Sequence, residues 1–544
     1  MKNKANSLWL LAMIFLPTGA VMGQSGSSGS NILIYSLIAV AVLIFFYLLV
    51  QVADNLLAIE ARQSGSQRKG VNYGIFPRIS EIFAPKLPDF VEDSPVTVLK
   101  RGHNILLQGE AAARIDESVE AQTFAVQPFN FKGIAPIPKM LVEVGAEVKA
   151  GDPLFFDKAN PEIHYVAPVS GEVIAINRGA KRAISEVVIL ADKTQKYRSL
   201  NAPDPASASR EDLVKFLMDS GAWPLIKQRP FNLIADPAET PRDIFVSTFD
   251  SAPLAPDQNF VVQGREAAFR KGIDVLSKLT SGKVYLGLNA KSASVPSKAF
   301  TESNAEVRWF YGKHPAGNVG IQIHHIRPIG SKDKVWTLGV QEVITLGALF
   351  TENRFNAERI VALTGAELED PVYVRTNIGA NLGELLKDNL KAENTRMITG
   401  DVLSGRKSGP EGFLDFYDDQ VTVVEEGDYY ELFGWLLPIE PRPSISNSFP
   451  NFLFPNLKFK ANTNSHGERR AFVVTGQYEE VLPMDVYPQA LMKSILNGEF
   501  ERMEGLGIYE LVEEDVALCE FVCTSKQPLQ QILRQGLEMM REQG

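Results

Sequence analysis

Cysteine is almost absent: Cys519 and Cys523 are the only two in 544 residues. A disulfide framework is therefore excluded, and a reducing compartment fits. Two thiols are also only half of what an iron–sulfur cluster needs. Four residues apart, they share one helical face and read as a buried structural pair. Histidine is nearly as sparse. His103, His164, His314, His324, His325 and His466 form no H-x-x-x-H pair, and no C-x-x-C occurs. A dedicated zinc site is not expected. The glycine devices for nucleotides are missing too. No G-x-G-x-x-G stands between a strand and a helix, and there is no G-x-x-x-x-G-K-[ST], which argues against a catalytic dinucleotide or triphosphate domain. With a net charge of −10, a general grip on nucleic acid is not expected either.

Charge itself is absent over one long stretch, from Ala5 to Ala53. Within it, Ile32–Val50 is almost unbroken apolar sequence. At 1.5 Å per residue it makes a helix of about 28 Å, close to the thickness of a bilayer's hydrocarbon layer. The reading is one transmembrane helix over 31–52, in contact with lipid through Ile32–Val50; the alternative is a helix wrapped on all sides by a protein core. A shorter apolar run, Leu8–Leu16, follows Lys2 and Lys4 and ends at Pro17-Thr18-Gly19, with small residues up to Gly23. That layout reads as a signal peptide over 1–23, or else as the first arm of a helical hairpin. Arg62, Arg68 and Lys69 follow the apolar run. By the positive-inside bias they place the body on the cytoplasmic side of the bacterial inner membrane, as a single-pass protein.

The rest is an α+β multidomain body. Residues 53–95, rich in Pro, Ser, Gly and charge, read as a linker. In 96–200, Val142–Leu154 and Ala167–Val173 alternate short β runs with turns, and Gly145 and Gly151 stand where positive φ is required. This is the rhythm of a biotinyl/lipoyl-like barrel-sandwich. Its hairpin tip, Asp157–Pro161, holds Lys158 without flanking methionines, so Lys158 reads as a turn residue. Residues 201–355 alternate helix and strand as a Rossmann-like parallel sheet does. The pattern predicts helices at Arg210–Gly221 and Glu266–Leu279, and strands at Asp243–Phe249 and Lys283–Leu288. It also predicts a strand at Ile321–Ile326 after the Gly-rich turn Gly312–Gly320. The loop Asp250–Asp257 follows a strand's C-terminal end, where ligands of such sheets bind. In 356–410, Glu358–Gly365 and Glu369–Thr376 form a hairpin followed by a helix, a β-grasp (SLBB-like) unit. Residues 411–544 are a mixed, helical region, with helices at Met484–Asn497, Asp515–Cys523 and Leu529–Arg541.

From about Val98 onward these segments, in this order, resemble the A subunits (NqrA) of the sodium-translocating NADH:quinone oxidoreductases. The carriers are Lys100-Arg101-Gly102, the two barrel-sandwich repeats, Arg229-Pro230-Phe231 and His314-Pro315-Ala316-Gly317. Lys334-Val335-Trp336, Glu358–Gly365, Glu431–Trp435, Glu513–Asp515 and Ala517–Cys523 continue the series. The resemblance implies a peripheral cytoplasmic component of a six-subunit respiratory pump. Such a complex passes electrons from NADH through FAD, FMN and an iron–sulfur centre in partner subunits to ubiquinone, and exports Na+. It implies no tightly bound cofactor and no independent catalytic site in this chain, with ubiquinone as a ligand and the membrane-embedded B subunit as a partner. The alternative is a relative of the Rnf complex C subunit or of the flavin subunit of complex I, whose flavin glycines and cluster cysteines are not found here. The family usually starts near Val98, so the first ninety or so residues stand as an anchor extension. A quinone site needs an apolar cleft, an aromatic ring and a donor. By residue type the candidates are Phe129, Phe131, Arg229, Phe231 and His314.

Overall fold

The computed structural model describes residues 28–63, 87–91, 94–431, 433–434, 440–445 and 450–543. The signal peptide expected over 1–23 lies outside them. The chain divides into two units, 1–86 and 87–544. In the first, Ser28–Gln63 is one helix of 36 residues. Its apolar side chains at Ile34, Leu43, Phe45 and Leu48 stand 50–66% exposed. Among the described residues no helix is long and apolar enough to cross a membrane.

The second unit holds four sheets. The barrel-sandwich packs a four-stranded sheet (Thr123–Val126, Ile184–Ala191, Gly171–Arg178, Glu147–Val148) against a three-stranded one (Lys139–Met140, Pro153–Asp157, Asn160–Val166). Gly145 and Gly151 have φ of 87° and 90°, the left-handed turns that their positions require. Lys158 sits exposed in the tip turn.

The α/β sheet runs Val96–Val98, Glu306–Tyr311, Val284–Asn289, Asp243–Ser247, Val335–Leu338, Lys227–Arg229, Leu233–Ile234. The first five strands are parallel. Lys227–Arg229 runs antiparallel to Val335–Leu338, and Leu233–Ile234 reverses again beside it. The three central parallel strands are buried nearly throughout, as a sheet covered on both faces demands. Glu266–Leu279 and Val340–Glu352 pack against each other so closely that a Cβ on Gly347 would lie 1.8 Å from the Ala268 carbonyl.

Residues 321–326 correct the expected strand: Val319–Ile326 is a helix. The run Ile321-Gln-Ile-His-His-Ile326 fits a period of two as well as a short helical stripe, and so short an apolar run is ambiguous locally. Packing decides it. Gln322 is buried with its Nε2 donating to Ser247 Oγ at 2.8 Å and to the Ala316 carbonyl at 3.2 Å, partners a polar side chain in a core strand would lack.

The SLBB-like sheet is six-stranded: Arg406–Ser408, Thr395–Thr399, Gln420–Glu425, Glu358–Thr364, Val372–Asn377, Ala112–Asp116. The hairpin Glu358–Thr364/Val372–Asn377 is antiparallel, and Gln420–Glu425 lies parallel beside its first strand. The C-terminal helices Pro488–Asn497, Glu513–Val522 and Leu529–Gln543 build a second core around Leu491, Met503, Leu518 and Leu533, closed by Leu99, Phe310 and Ile321 from the α/β side. Cys519 and Cys523 are buried in it, with the Tyr478 hydroxyl 2.8 Å from Cys523 Sγ.

Candidate functional site

The five residues proposed from the sequence fall in two places. Phe129 and Phe131 flank Asn130 in a short 3-10 turn. Phe129 is half exposed, under the Arg406 guanidinium at 4.9 Å. Phe131 is 2% exposed, with ring centroids of Tyr165 and Phe416 at 4.6 and 4.7 Å. It joins the barrel-sandwich to the segment before Gln420–Glu425 as core.

Arg229 and Phe231 lie instead at the start of Glu513–Val522, and His314 sits in the Gly-rich turn whose Asn318 reaches the same helix. Arg229 is 1% exposed. Its Nη1 donates to Asp515 Oδ2 at 2.8 Å and its Nη2 to Glu514 Oε1 at 2.7 Å. Burial opposes the charge, but Asp515 and Glu514 outweigh it and the guanidinium's pKa is raised. Asp515 is wholly buried and also accepts from the Val512 N–H, capping its own helix. Gly320 lies against the pair, where a Cβ would come within 2.4 Å of both Arg229 Nη1 and Asp515 Oδ2. No other residue fits there.

His314 is 3% exposed in the Gly-rich turn. Ser251 Oγ accepts the Gly317 N–H at 2.8 Å and lies 3.1 Å from His314 Nδ1. The hydroxyl oxygen can accept from both or turn its hydrogen to Nδ1, so the contact suits either neutral tautomer. Burial agrees, pushing its pKa down to about 4. Nε2 has no partner among the described residues. Asn318 Nδ2, in the same turn, donates to the Glu514 carbonyl at 3.0 Å.

Phe231 follows the Arg229–Pro230 peptide with φ +79°, a left-handed backbone that a bulky residue adopts only where its surroundings hold it. Its carbonyl accepts from Arg534 Nη1 at 3.0 Å, and its ring meets Tyr509 edge-on at 5.9 Å. It faces a cavity of about 340 Å3 walled by Ile134, Leu233 and Leu537, with Lys132, Glu513, Arg534, Glu538 and Arg541 as charged groups. Arg534 grips Glu513 with two bonds of 2.7 Å, and Lys132 Nζ adds a third at 2.5 Å. Burial would raise the Glu513 pKa, yet Arg534 and Lys132 outweigh it and hold it at about 2. Lys132 shifts down, chiefly through burial. Among the five residues chosen by type, Phe231 alone lines this cavity. Lys132 and Arg534 were not singled out from the sequence. The acidic run Glu513-Glu514-Asp515 was visible, but not what it would pair with.

Three family descriptions match. Residues 97–192 match an NqrA N-terminal barrel-sandwich hybrid domain, 208–355 an NqrA second alpha/beta domain, and 360–409 an NQRA C-terminal domain. The A subunit of a Na(+)-translocating NADH-quinone reductase from Saccharophagus degradans is 38% identical over 449 residues, covering 82% of this chain and 99% of that protein. The chain belongs to the NqrA family. The corresponding A subunit from Alcanivorax borkumensis is 38% identical over 450 residues, covering 82% of this chain and 99% of that one. That from Shewanella frigidimarina is 40% identical over 410, covering 75% of this chain and 91% of that one. A chain of an NAD+-reducing [NiFe]-hydrogenase aligns with a TM-score of 0.32 at 10% identity, over 64% of this chain and 67% of that one. That likeness is too faint to carry an inference. As an NqrA-family member, the chain carries the barrel-sandwich and the SLBB-like domain in the order the sequence led us to expect.

Proposed function

We propose that this chain is the A subunit of a Na+-pumping NADH:quinone oxidoreductase, serving as a docking and quinone-associated component. The observation that carries the assignment is alignment with almost the whole of named A subunits. The chain docks on the membrane-embedded B subunit, and partner subunits supply NADH oxidation, the flavins and the iron–sulfur centre.

Within the chain, the Phe231 cavity supports the quinone role best. Ile134, Leu233 and Leu537 give it an apolar side, Phe231 gives an aromatic face, and Lys132 keeps ammonium hydrogens beyond the one bonded to Glu513. A quinone ring seeks such a combination: stacking and apolar contact for the ring, a donor for a carbonyl oxygen. Arg229 then acts behind the cavity, fixing the Glu513–Asp515 turn through Glu514 and Asp515. Photolabelling of the whole complex with an azido-quinone tests this. Label on the 229–235 segment, reduced several-fold in Phe231→Ala, is the expected result; label confined to a partner subunit removes the site.

Ile32–Val50 is proposed as a membrane anchor holding the body on the cytoplasmic side. What supports it is the uncharged run, its helical form within Ser28–Gln63, its exposed apolar side chains and the basic residues that follow.

A further inference from the structure

The loop 250–257 follows the C-terminal end of Asp243–Ser247, and the turn 312–318 follows that of Glu306–Tyr311. Open α/β sheets bind ligands beyond this edge. Loop and turn touch: a Cβ on Gly317 would lie 2.6 Å from the Ser251 nitrogen. A third segment, 401–404 of the SLBB-like domain, approaches from the other side. Its Leu403 and the loop's Leu254 pack on the same C-terminal core, and its Asp401 charge acts on both Asp250 and His314.

Acids dominate the recess between these segments. Asp250 is exposed at its mouth. Protein on its other sides still desolvates the carboxyl; the Ala252 N–H opposes that, while Asp401, Asp419 and Glu514 add to it, and the pKa is pushed up to about 7. The donors these carboxylates meet are neutral. Asp250 Oδ1 accepts the Ala252 N–H at 2.8 Å, Asp401 Oδ1 the Leu403 N–H at 2.6 Å, and Asp419 Oδ2 accepts from Gln258 Nε2 at 2.9 Å. The cations nearby are engaged elsewhere. Arg229 is bonded to Glu514 and Asp515; Arg359, which eases Asp419, is bonded to Glu342. Lys313 acts on His103 and Lys291, whereas the charges acting on the His314 ring are those of Asp401 and Glu514.

His314 is the independent sign of a ligand. It is 3% exposed, and its Nδ1 is turned to Ser251. Its Nε2, on the opposite side of the ring, has no partner among the described residues. A buried imidazole nitrogen left unsatisfied is costly, and in native structures it calls for an explanation.

We propose that the recess holds a hydrated divalent cation of the magnesium kind, its water shell donating to Asp250, Asp401 and His314 Nε2. Among the described residues no three side chains are placed to chelate a bare metal ion, whereas Mg2+ keeps several of its waters and needs only one or two carboxylates. Water on a cation donates, so Nε2 must offer its lone pair. The tautomer with its proton on Nδ1, donating to Ser251 Oγ, does this, and imidazoles at metal sites are commonly oriented by such a bond.

Isothermal titration calorimetry of the full chain in neutral detergent tests the proposal, with magnesium chloride as the probe and choline chloride at equal ionic strength as the control. Cobalt(III) hexaammine, whose ligands do not exchange, mimics hydrated magnesium. One saturable magnesium site is expected, weakened about tenfold in Asp250→Asn and in Asp401→Asn and displaced by the hexaammine. Protons compete for Asp250, so affinity is expected to rise as pH rises through about 7. Without magnesium, Asp250→Asn removes a repelling charge; an unfolding midpoint equal to or above that of the parent chain separates a lost site from a damaged fold. If Asp401→Asn does not fold, Asp250→Asn decides alone. No saturable heat beyond that of choline, unchanged affinity in the folded variants, or magnesium binding that the hexaammine does not displace overturns the proposal.

Discussion

Glu513 shows how one residue sets the local electrostatics. Unpaired and buried, its carboxylate would be costly; held by Arg534 and Lys132 it is stabilising. Its pKa is depressed to about 2 from an ordinary 4.5. The sign follows from linkage: the stabilisation is full above pH 4.5, where the unfolded chain is ionised too, and is lost as pH falls through about 2. Glu513→Gln is expected to cost roughly 3 kcal/mol at neutral pH and to flatten the loss of stability between those two pH values. Urea unfolding of the chain in neutral detergent across that range checks it; an unchanged slope would remove Glu513 as its source. Gly320 is the companion case. Gly320→Ala forces a methyl onto the Arg229–Asp515 pair, with an expected cost of about 1–3 kcal/mol, visible as a lowered unfolding midpoint. The need for glycine here was not legible locally: Gly320 looked like one more turn glycine, and its reason lies on a helix nearly two hundred residues away.

At the scale of elements, legibility followed length and period. Glu266–Leu279 is amphipathic over fourteen residues, and helix and sequence pattern agree at both ends. Arg210–Asp219 begins where Ser209 offers a cap, and Ser209 does accept the Asp212 N–H at 3.1 Å. The short run at 321–326 misled because six apolar-rich residues satisfy two periods at once, and only the Gln322 contacts select the helix. The helix Ser28–Gln63 is the element on which membrane retention should depend. Deleting Met1–Val52 is expected to release the chain from washed membranes, measured by immunoblot of pellet and supernatant, while the body keeps its cooperative unfolding transition. Continued sedimentation of the truncated chain with the membranes would assign retention to docking alone.

At the scale of the whole described body, one core runs unbroken through barrel-sandwich, α/β and SLBB-like domains. The domains also exchange strands. Val96–Val98 completes the edge of the α/β sheet beside Glu306–Tyr311, and Ala112–Asp116 completes the edge of the SLBB-like sheet beside Val372–Asn377. Both strands lie at or within the start of the 97–192 match to the barrel-sandwich domain, yet neither joins its two sheets. Arg229, on a strand of the α/β sheet, and Lys132, beside the barrel, reach the C-terminal helices through Glu513, Glu514 and Asp515. The acidic turn is thus a shared fastening point for three parts of the body.

The sequence by itself determined which elements could form and in what order, because period, turn glycines and caps act within a few residues. It also determined the family, because many short segments recur in one order. Only the tertiary structure decided which side chains meet. The Phe231 cavity and its Lys132–Glu513–Arg534 cluster join residues remote along the chain. Their charges and burial depend on long-range packing, which has no local period to read.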